Sequence, residues 1–276
     1  SAGDINGDGY DDIVLGAPWR GGSAYVLYGK ATGFADITLA SLSAADGFRM
    51  LGDYTGSDDM VGSEVASAGD INGDGFDDMF IGAAGRGKGG NAFVVFGKAS
   101  GFSDFTLATM APSTGFRIVN TIAEDGRLGY NITGAGDVNG DGLDDLLIGM
   151  VGGGDAGLVH VIYGKTTGFS ELDVATLAPA DGFTISGDTP GEGFGYDVAS
   201  AGDVNGDGIG DIIVSLTNNG DEAGNPPQAH VIFGKAGGMG NVDLGALAPD
   251  DGFTIRGGVD SQFEGDTQAS LDFNVS

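Results

Sequence analysis

The chain has 276 residues, 56 of them Gly and none Cys, and carries 40 acidic against 11 basic side chains for a formal net charge of −29. So acidic a surface repels phosphate backbones and anionic headgroups, the Lys and Arg are scattered, and no run nears the ~18 apolar residues of a membrane span, so neither nucleic-acid binding nor membrane insertion is expected. Without Cys there is no disulfide framework, thiolate metal site or thiol catalysis, while a hydrophobic share of 41% suffices for a core.

Ser1 to Gly3 show no charged-then-apolar leader, so any signal sequence is expected to lie outside this stretch. The acidic segment Asp4-Ile5-Asn6-Gly7-Asp8-Gly9 comes next and returns at Asp70, Asp137 and Asp203, in steps of 66, 67 and 66 residues. Tyr-Gly-Lys at 28–30 keeps the same beat, returning at 96–98, 163–165 and 233–235 with Tyr or Phe first. The period divides the chain into repeats at about 1–62, 63–128, 129–194 and 195–262, with a partial fifth over 263–276. Within the second repeat, 63–68, 78–83, 91–96 and 116–119 read as strands, being short runs rich in Val, Ile and Phe and bounded by Gly. Leu39 and Leu42, Leu107 and Met110, Val174 and Leu177, and Leu244 and Leu247 share a spacing of three, which predicts one helical turn between the third and fourth strands. The strands are apolar on both faces, so each four-stranded sheet must be covered on both sides. That predicts an all-β fold, a β-propeller of four-stranded antiparallel blades.

The chemistry lies between the first and second strands, in the pattern Asp-x-Asn-x-Asp-Gly-x-x-Asp. The candidate ligands are Asp4, Asn6, Asp8, Tyr10 and Asp12; Asp70, Asn72, Asp74, Phe76 and Asp78; Asp137, Asn139, Asp141, Leu143 and Asp145; and Asp203, Asn205, Asp207, Ile209 and Asp211. Calcium takes six to eight oxygens at ~2.3–2.6 Å, and alternate positions of a tight loop turn their side chains toward one centre. The seventh position offers its backbone carbonyl, which is why Tyr10, Phe76, Leu143 and Ile209 can be apolar or aromatic. Asp, Asn and Gly are also ordinary turn formers. Four copies of three crowded carboxylates, however, call for a compensating cation, and about four calcium ions are expected. Asp11, Asp77 and Asp144 are read as solvated or supporting residues, because the fourth loop has Gly210 there. An EF-hand needs Glu at position 12, where this chain has Leu15, Ile81, Ile148 and Val214. Loops of this kind need a calcium-rich medium, which favours an extracellular or cell-surface setting.

An enzyme reading finds little support in the residues. His160 and His230 occupy the slot of Tyr25 and Phe93 and are read as packing residues; no Gly-x-Ser-x-Gly elbow occurs. The glycine string at 85–90 lacks the helix that would hold a pyrophosphate. Lys30, Lys98, Lys165 and Lys235 recur at strand ends and are read as charge compensation.

With these loops, the chain resembles the FG-GAP repeats of integrin α-chain propellers and of bacterial surface and secreted proteins. The GAP element stands at Gly16-Ala17-Pro18 and weakens at Gly82-Ala83-Ala84 and Gly149-Met150-Val151; the FG element is Phe194-Gly195, with Val61-Gly62 and Leu128-Gly129 elsewhere. The resemblance implies structural calcium in a propeller used for adhesion or for binding an extracellular protein or glycan, with an accessory propeller of a secreted hydrolase or lyase as the alternative. Family members usually have seven blades, so four repeats imply an arc completed by further blades. The loops between second and third strands vary most, and Trp19, Arg20, Tyr54, Arg86 and Arg127 on that face are the candidate ligand-binding residues.

Overall fold

A computed structural model describes residues 1–19, 21–33, 35–52, 60–85, 90–121, 127–151, 156–188, 194–216 and 228–256. The apolar runs become strands. The first repeat forms β1 (Ile13–Ala17), β2 (Ser23–Leu27) and β3 (Gly47–Leu51). The second forms β4 (Val61–Gly69), β5 (Asp78–Ala83), β6 (Asn91–Val95), a two-residue β7 (Phe105–Thr106) and β8 (Gly115–Val119). The third forms β9 (Arg127–Gly136), β10 (Asp145–Val151), β11 (Leu158–Ile162), β12 (Leu172–Asp173) and β13 (Gly182–Ser186). The fourth forms β14 (Phe194–Gly202), β15 (Asp211–Leu216), β16 (Gln228–Ile232), β17 (Val242–Asp243) and β18 (Gly252–Arg256). Apart from the two-residue strands β7, β12 and β17, each set folds as an antiparallel meander, and the four sheets are β-propeller blades. Inner strands β4, β9 and β14 pack against one another in chain order.

The short strands were not expected from the sequence, being too brief to show a period. Each leaves its own blade and pairs in parallel with the outer strand of the blade before it: β7 with β3, β12 with β8, and β17 with β13. A 3-10 turn follows at Leu107–Thr109, Val174–Thr176 and Leu244–Ala246, as the leucine spacing predicts, and its first residue is buried in the same interface. Beside this hook, Phe102 stacks on Phe48 with ring centroids 4.6 Å apart, and Phe169 stacks on Phe116 at 4.8 Å.

Apolar residues gather between blades. One core joins the first and second blades through Val26, Phe48, Met50, Met79, Ile81 and Phe93; a second joins the second and third, and a third the third and fourth. A closed four-bladed ring needs a fourth such core between the last blade and the first. Among the described residues there are three, so the blades form an open arc.

Where two blades meet, the glycines of the two resemblance motifs touch. A Cβ built on Gly16 would lie 2.1 Å from the carbonyl oxygen of Gly62, on Gly82 2.3 Å from that of Gly129, and on Gly149 2.1 Å from that of Gly195. No side chain fits such an approach. The GAP glycine of one blade and the FG glycine of the next are therefore two sides of one backbone contact.

Candidate metal centre

Each acidic loop is wound around its first aspartate. In the first loop, Asp4 Oδ1 accepts the backbone N–H groups of Gly7 at 2.8 Å and Asp8 at 3.0 Å, and Oδ2 accepts that of Gly9 at 2.8 Å. Asn6 and Asp8 each accept the N–H two residues on. Asp70, Asp137 and Asp203 make the same three bonds in their own loops. Gly7 and Gly9 and their counterparts hold φ near +70° to +90°, a region that a side chain disfavours, which fixes glycine at these turn positions.

The ninth-position aspartates close the loops from below. Asp78 is fully buried and accepts N–H bonds from Ile71 at 3.2 Å and Gly97 at 2.8 Å. Asp12, Asp145 and Asp211 are also buried, and each takes the N–H of its own second loop residue and that of Gly29, Gly164 or Gly234. These glycines are the centre of the repeated Tyr/Phe-Gly-Lys segment, so that landmark is the far wall of the loop. The lysine beside it pairs with an aspartate before the outer strand: Lys30 with Asp46 at 3.0 Å, Lys165 with Asp181 at 2.8 Å, and Lys235 with Asp251. The second repeat has Thr114 in that place, and Lys98 lies 4.9 Å from the centre of the Phe102 ring.

Burial, opposed by the two amide bonds, pushes the Asp78 carboxyl up to about 8, with the charges of Asp74 and Asp70 adding to the rise. The same causes, with the neighbouring loop aspartates again adding, raise Asp145 to about 7 and Asp12 to about 6. A buried carboxylate beside two others is uncomfortable as an anion unless a cation joins it. Among the described residues no three His, Cys, Asp or Glu side chains converge as a ready metal cage. The carboxylate oxygens are turned onto loop amides, although an oxygen that accepts one N–H retains a second lone pair. The donor set of each loop is all oxygen, as a hard divalent cation requires.

Of the eighth-position aspartates, Asp77 and Asp144 have a definite partner in the structure. Asp77 Oδ2 accepts the N–H of Asp4 at 2.8 Å, and Asp144 Oδ2 that of Asp70 at 2.9 Å, each reaching back to the preceding blade. Lys98 N–H donates to the carbonyl of Ile5, Lys165 to that of Ile71, and Lys235 to that of Val138. Gly210 lacks the carboxylate, yet its N–H donates to the Asp137 carbonyl at 2.8 Å. Phe76 lies against Gly7 and Leu143 against Gly73, each side chain packing on the loop before it. Each of the first three loops is thus finished by the blade that follows.

Of the five candidate ligand-binding residues, Arg20, Tyr54 and Arg86 lie outside the described residues. Trp19 is 82% exposed among the described residues. Replacing it with alanine should shift unfolding free energy by no more than about 0.5 kcal/mol, measured by urea denaturation; a loss of several kcal/mol would return it to packing. Arg127 sits 6.0 Å from the Tyr130 ring centre, and the Tyr130 and Tyr196 hydroxyls are 3.2 Å apart. This tyrosine pair joins two inner strands and carries no sequence motif. His160 and His230 are buried in the aromatic slot, each with Nδ1 on a threonine hydroxyl, in keeping with packing.

The FG-GAP repeat family matches residues 1–27 and 61–96. The chain is 29% identical over 239 residues to integrin alpha pat-2 of Caenorhabditis elegans, covering 81% of this chain and 18% of that protein. It is 30% identical over 225 residues to integrin alpha-V of Gallus gallus, covering 78% and 19%. It is also 28% identical over 211 residues to phosphatidylinositol-glycan-specific phospholipase D of Mus musculus, covering 70% and 23%. The chain thus spans about a fifth of the length of these relatives. FG-GAP repeats are thus matched within its first two blades, and the chain is similar in sequence to integrin α chains. Among the described residues no helix is long and apolar enough to cross a membrane.

Proposed function

We propose that this chain is a calcium-stabilised β-propeller module that binds an extracellular protein or glycan, in adhesion or in recognition at a cell surface. The observation that carries the reading is the fourfold loop, in which an all-oxygen donor set is closed by a buried aspartate. In the first loop Asp4, Asn6, Asp8, the Tyr10 carbonyl and Asp12 would hold the ion, and the equivalent residues would do so in the others. Bound calcium would neutralise the clustered carboxylates. This chain's own residues do the rest: the loop amides orient the aspartates, and the following blade fixes the loop on the sheet. The similarity to integrin α chains supports adhesion, and Trp19, exposed at a loop tip, is the proposed centre of the ligand surface.

Calorimetric titration tests the ligand assignment. Four calcium ions should bind per chain, and Asp74→Ala should reduce that number by one. Asp77→Ala should leave it at four while lowering stability by about 1 kcal/mol, the scale of its hydrogen bond to the Asp4 amide. Equal losses of calcium from both variants would overturn the assignment. A second reading, an accessory propeller of a secreted hydrolase, draws on the similarity to the mouse phospholipase D; turnover of a glycan or phospholipid substrate by the chain would favour it.

A further inference from the structure

Two tyrosines on neighbouring inner strands stand hydroxyl to hydroxyl. Tyr130 of β9 and Tyr196 of β14 hold equivalent places in the third and fourth blades, with ring centroids 5.3 Å apart, planes tilted by 50° and hydroxyl oxygens 3.2 Å apart. The backbone around them is fixed from both sides of the joint. Asn131 Nδ2 donates to the Tyr196 carbonyl at 3.1 Å and to Asp197 Oδ1 at 3.3 Å, and Gly149 meets the Gly195 carbonyl in the close approach described above. The pair is open to solvent, Tyr196 being 40% exposed and Tyr130 half-buried. The second blade has Ser63 at this place, and its hydroxyl accepts the Ala84 N–H, so the joint between the second and third blades holds no such pair. Tyr28 and Tyr163 face phenylalanines instead, and the Tyr163 hydroxyl accepts the Met239 N–H.

We propose that Tyr130 and Tyr196 are a site of oxidative cross-linking, at which hydrogen peroxide acting through a haem peroxidase joins the two rings as a dityrosine. Each phenol gives one electron to the oxidant and its hydroxyl proton to water. The two phenoxyl radicals then pair, forming one carbon–carbon bond between the ring carbons next to the two hydroxyls. The hydrogens displaced from those carbons move to the oxygens and restore both phenols, while one peroxide takes up the two electrons and two protons and becomes two waters. In the product the hydroxyls lie side by side on joined rings, which is the relation that their hydrogen bond already holds. Because the fold supplies that proximity, coupling within the chain outruns coupling between chains. The new bond closes a span of 66 residues and clasps the third blade to the fourth, in a chain that has no Cys for a disulfide. Both tyrosines lie near the starts of β9 and β14, and the acidic loops follow the ends of those strands, so the clasp does not rest on the calcium reading.

Treating the full chain with a haem peroxidase and hydrogen peroxide tests this, read by dityrosine fluorescence on the monomer band of a denaturing gel and by mass mapping of proteolytic fragments. The unaltered chain should yield a monomer lighter by two hydrogens, with one fragment joining Tyr130 to Tyr196, in a yield that dilution by about tenfold leaves unchanged. Tyr130→Phe and Tyr196→Phe should each lose that product while matching the unaltered chain in circular dichroism. Oxidation in urea, with the chain unfolded, should lower the yield by at least about tenfold, because the two rings are then no longer held together. The cross-linked monomer should afterwards unfold at a higher urea concentration than the untreated chain, and oxidised Tyr130→Phe should not. Fluorescence confined to products that join separate chains, a fragment linking other tyrosines, a product that either variant retains, or a yield undiminished in urea would overturn the proposal. A cross-linked monomer no more resistant to urea than the untreated chain would overturn its role as a clasp.

Discussion

Removing calcium should lower the melting temperature by on the order of 20 °C. A site held at a hundred times its dissociation constant adds about 2.7 kcal/mol to the native state, so four such sites add about 11 kcal/mol, and each kcal/mol moves the midpoint of a chain this size by about 2–4 °C. The response to pH should then change sign with the metal. In chelator, the buried carboxyls of Asp78 and Asp145 keep their protons up to about 8 and 7, while in the unfolded chain they lose them near 4. Between those values the native state binds protons that the unfolded state lacks, so stability is full below about 4 and falls as pH rises through 7 to 8. On the proposed calcium reading, saturating calcium should hold the same carboxylates ionised, and lowering the pH should expel the ion and destabilise the fold. Melts from pH 5 to 8 with and without chelator would check both. Parallel curves, or an unchanged midpoint on chelation, would count against cation-holding loops.

Gly149→Ala should cost about 2–3 kcal/mol, with no effect on the intrinsic chemistry of any loop. Its Cβ would lie 2.1 Å from the Gly195 carbonyl oxygen, and backbone on both sides cannot yield without prising the third and fourth blades apart. Gly101→Ala is the matched control. That glycine holds φ at +83° with nothing within 4 Å of an added Cβ, so the substitution meets conformational strain alone, about 1 kcal/mol. Urea unfolding of the two variants separates close approach from backbone strain, and equal losses would mean that the blades tolerate separation at this point.

The repeat, the strands and the loop pattern were legible because each leaves a mark in residue type: Val, Ile and Phe in the strands, Asp and Gly at fixed offsets in the turns, and leucines three apart in the connecting turn. The contacts between blades were not. Phe105-Thr106 is two residues long and has no period to read, yet it sets the outer edge of the preceding sheet. Asp77 looks in sequence like one more acid in an acidic loop, and its bond to the Asp4 amide spans 73 residues. Gly16 and Gly62 are separate motifs on paper and meet only once two sheets stack. What sequence reveals here is the single blade, because a blade is local in the chain. What it hides is the joint, because each joint pairs residues far apart in the chain, as Gly16 with Gly62, 46 positions on, and Val138 with Lys235, 97 positions on.

The hook that each blade lays along the outer strand of its predecessor also gives the arc an order in time. As the polypeptide emerges during synthesis, β3 can pair with β2 at once, but the edge on its other side waits for Phe105 and Thr106, more than fifty residues later. The first acidic loop waits likewise for Asp77 and Lys98. Consolidation therefore trails translation by one blade, and the most recently made blade is always the one with an open flank and an unsupported loop.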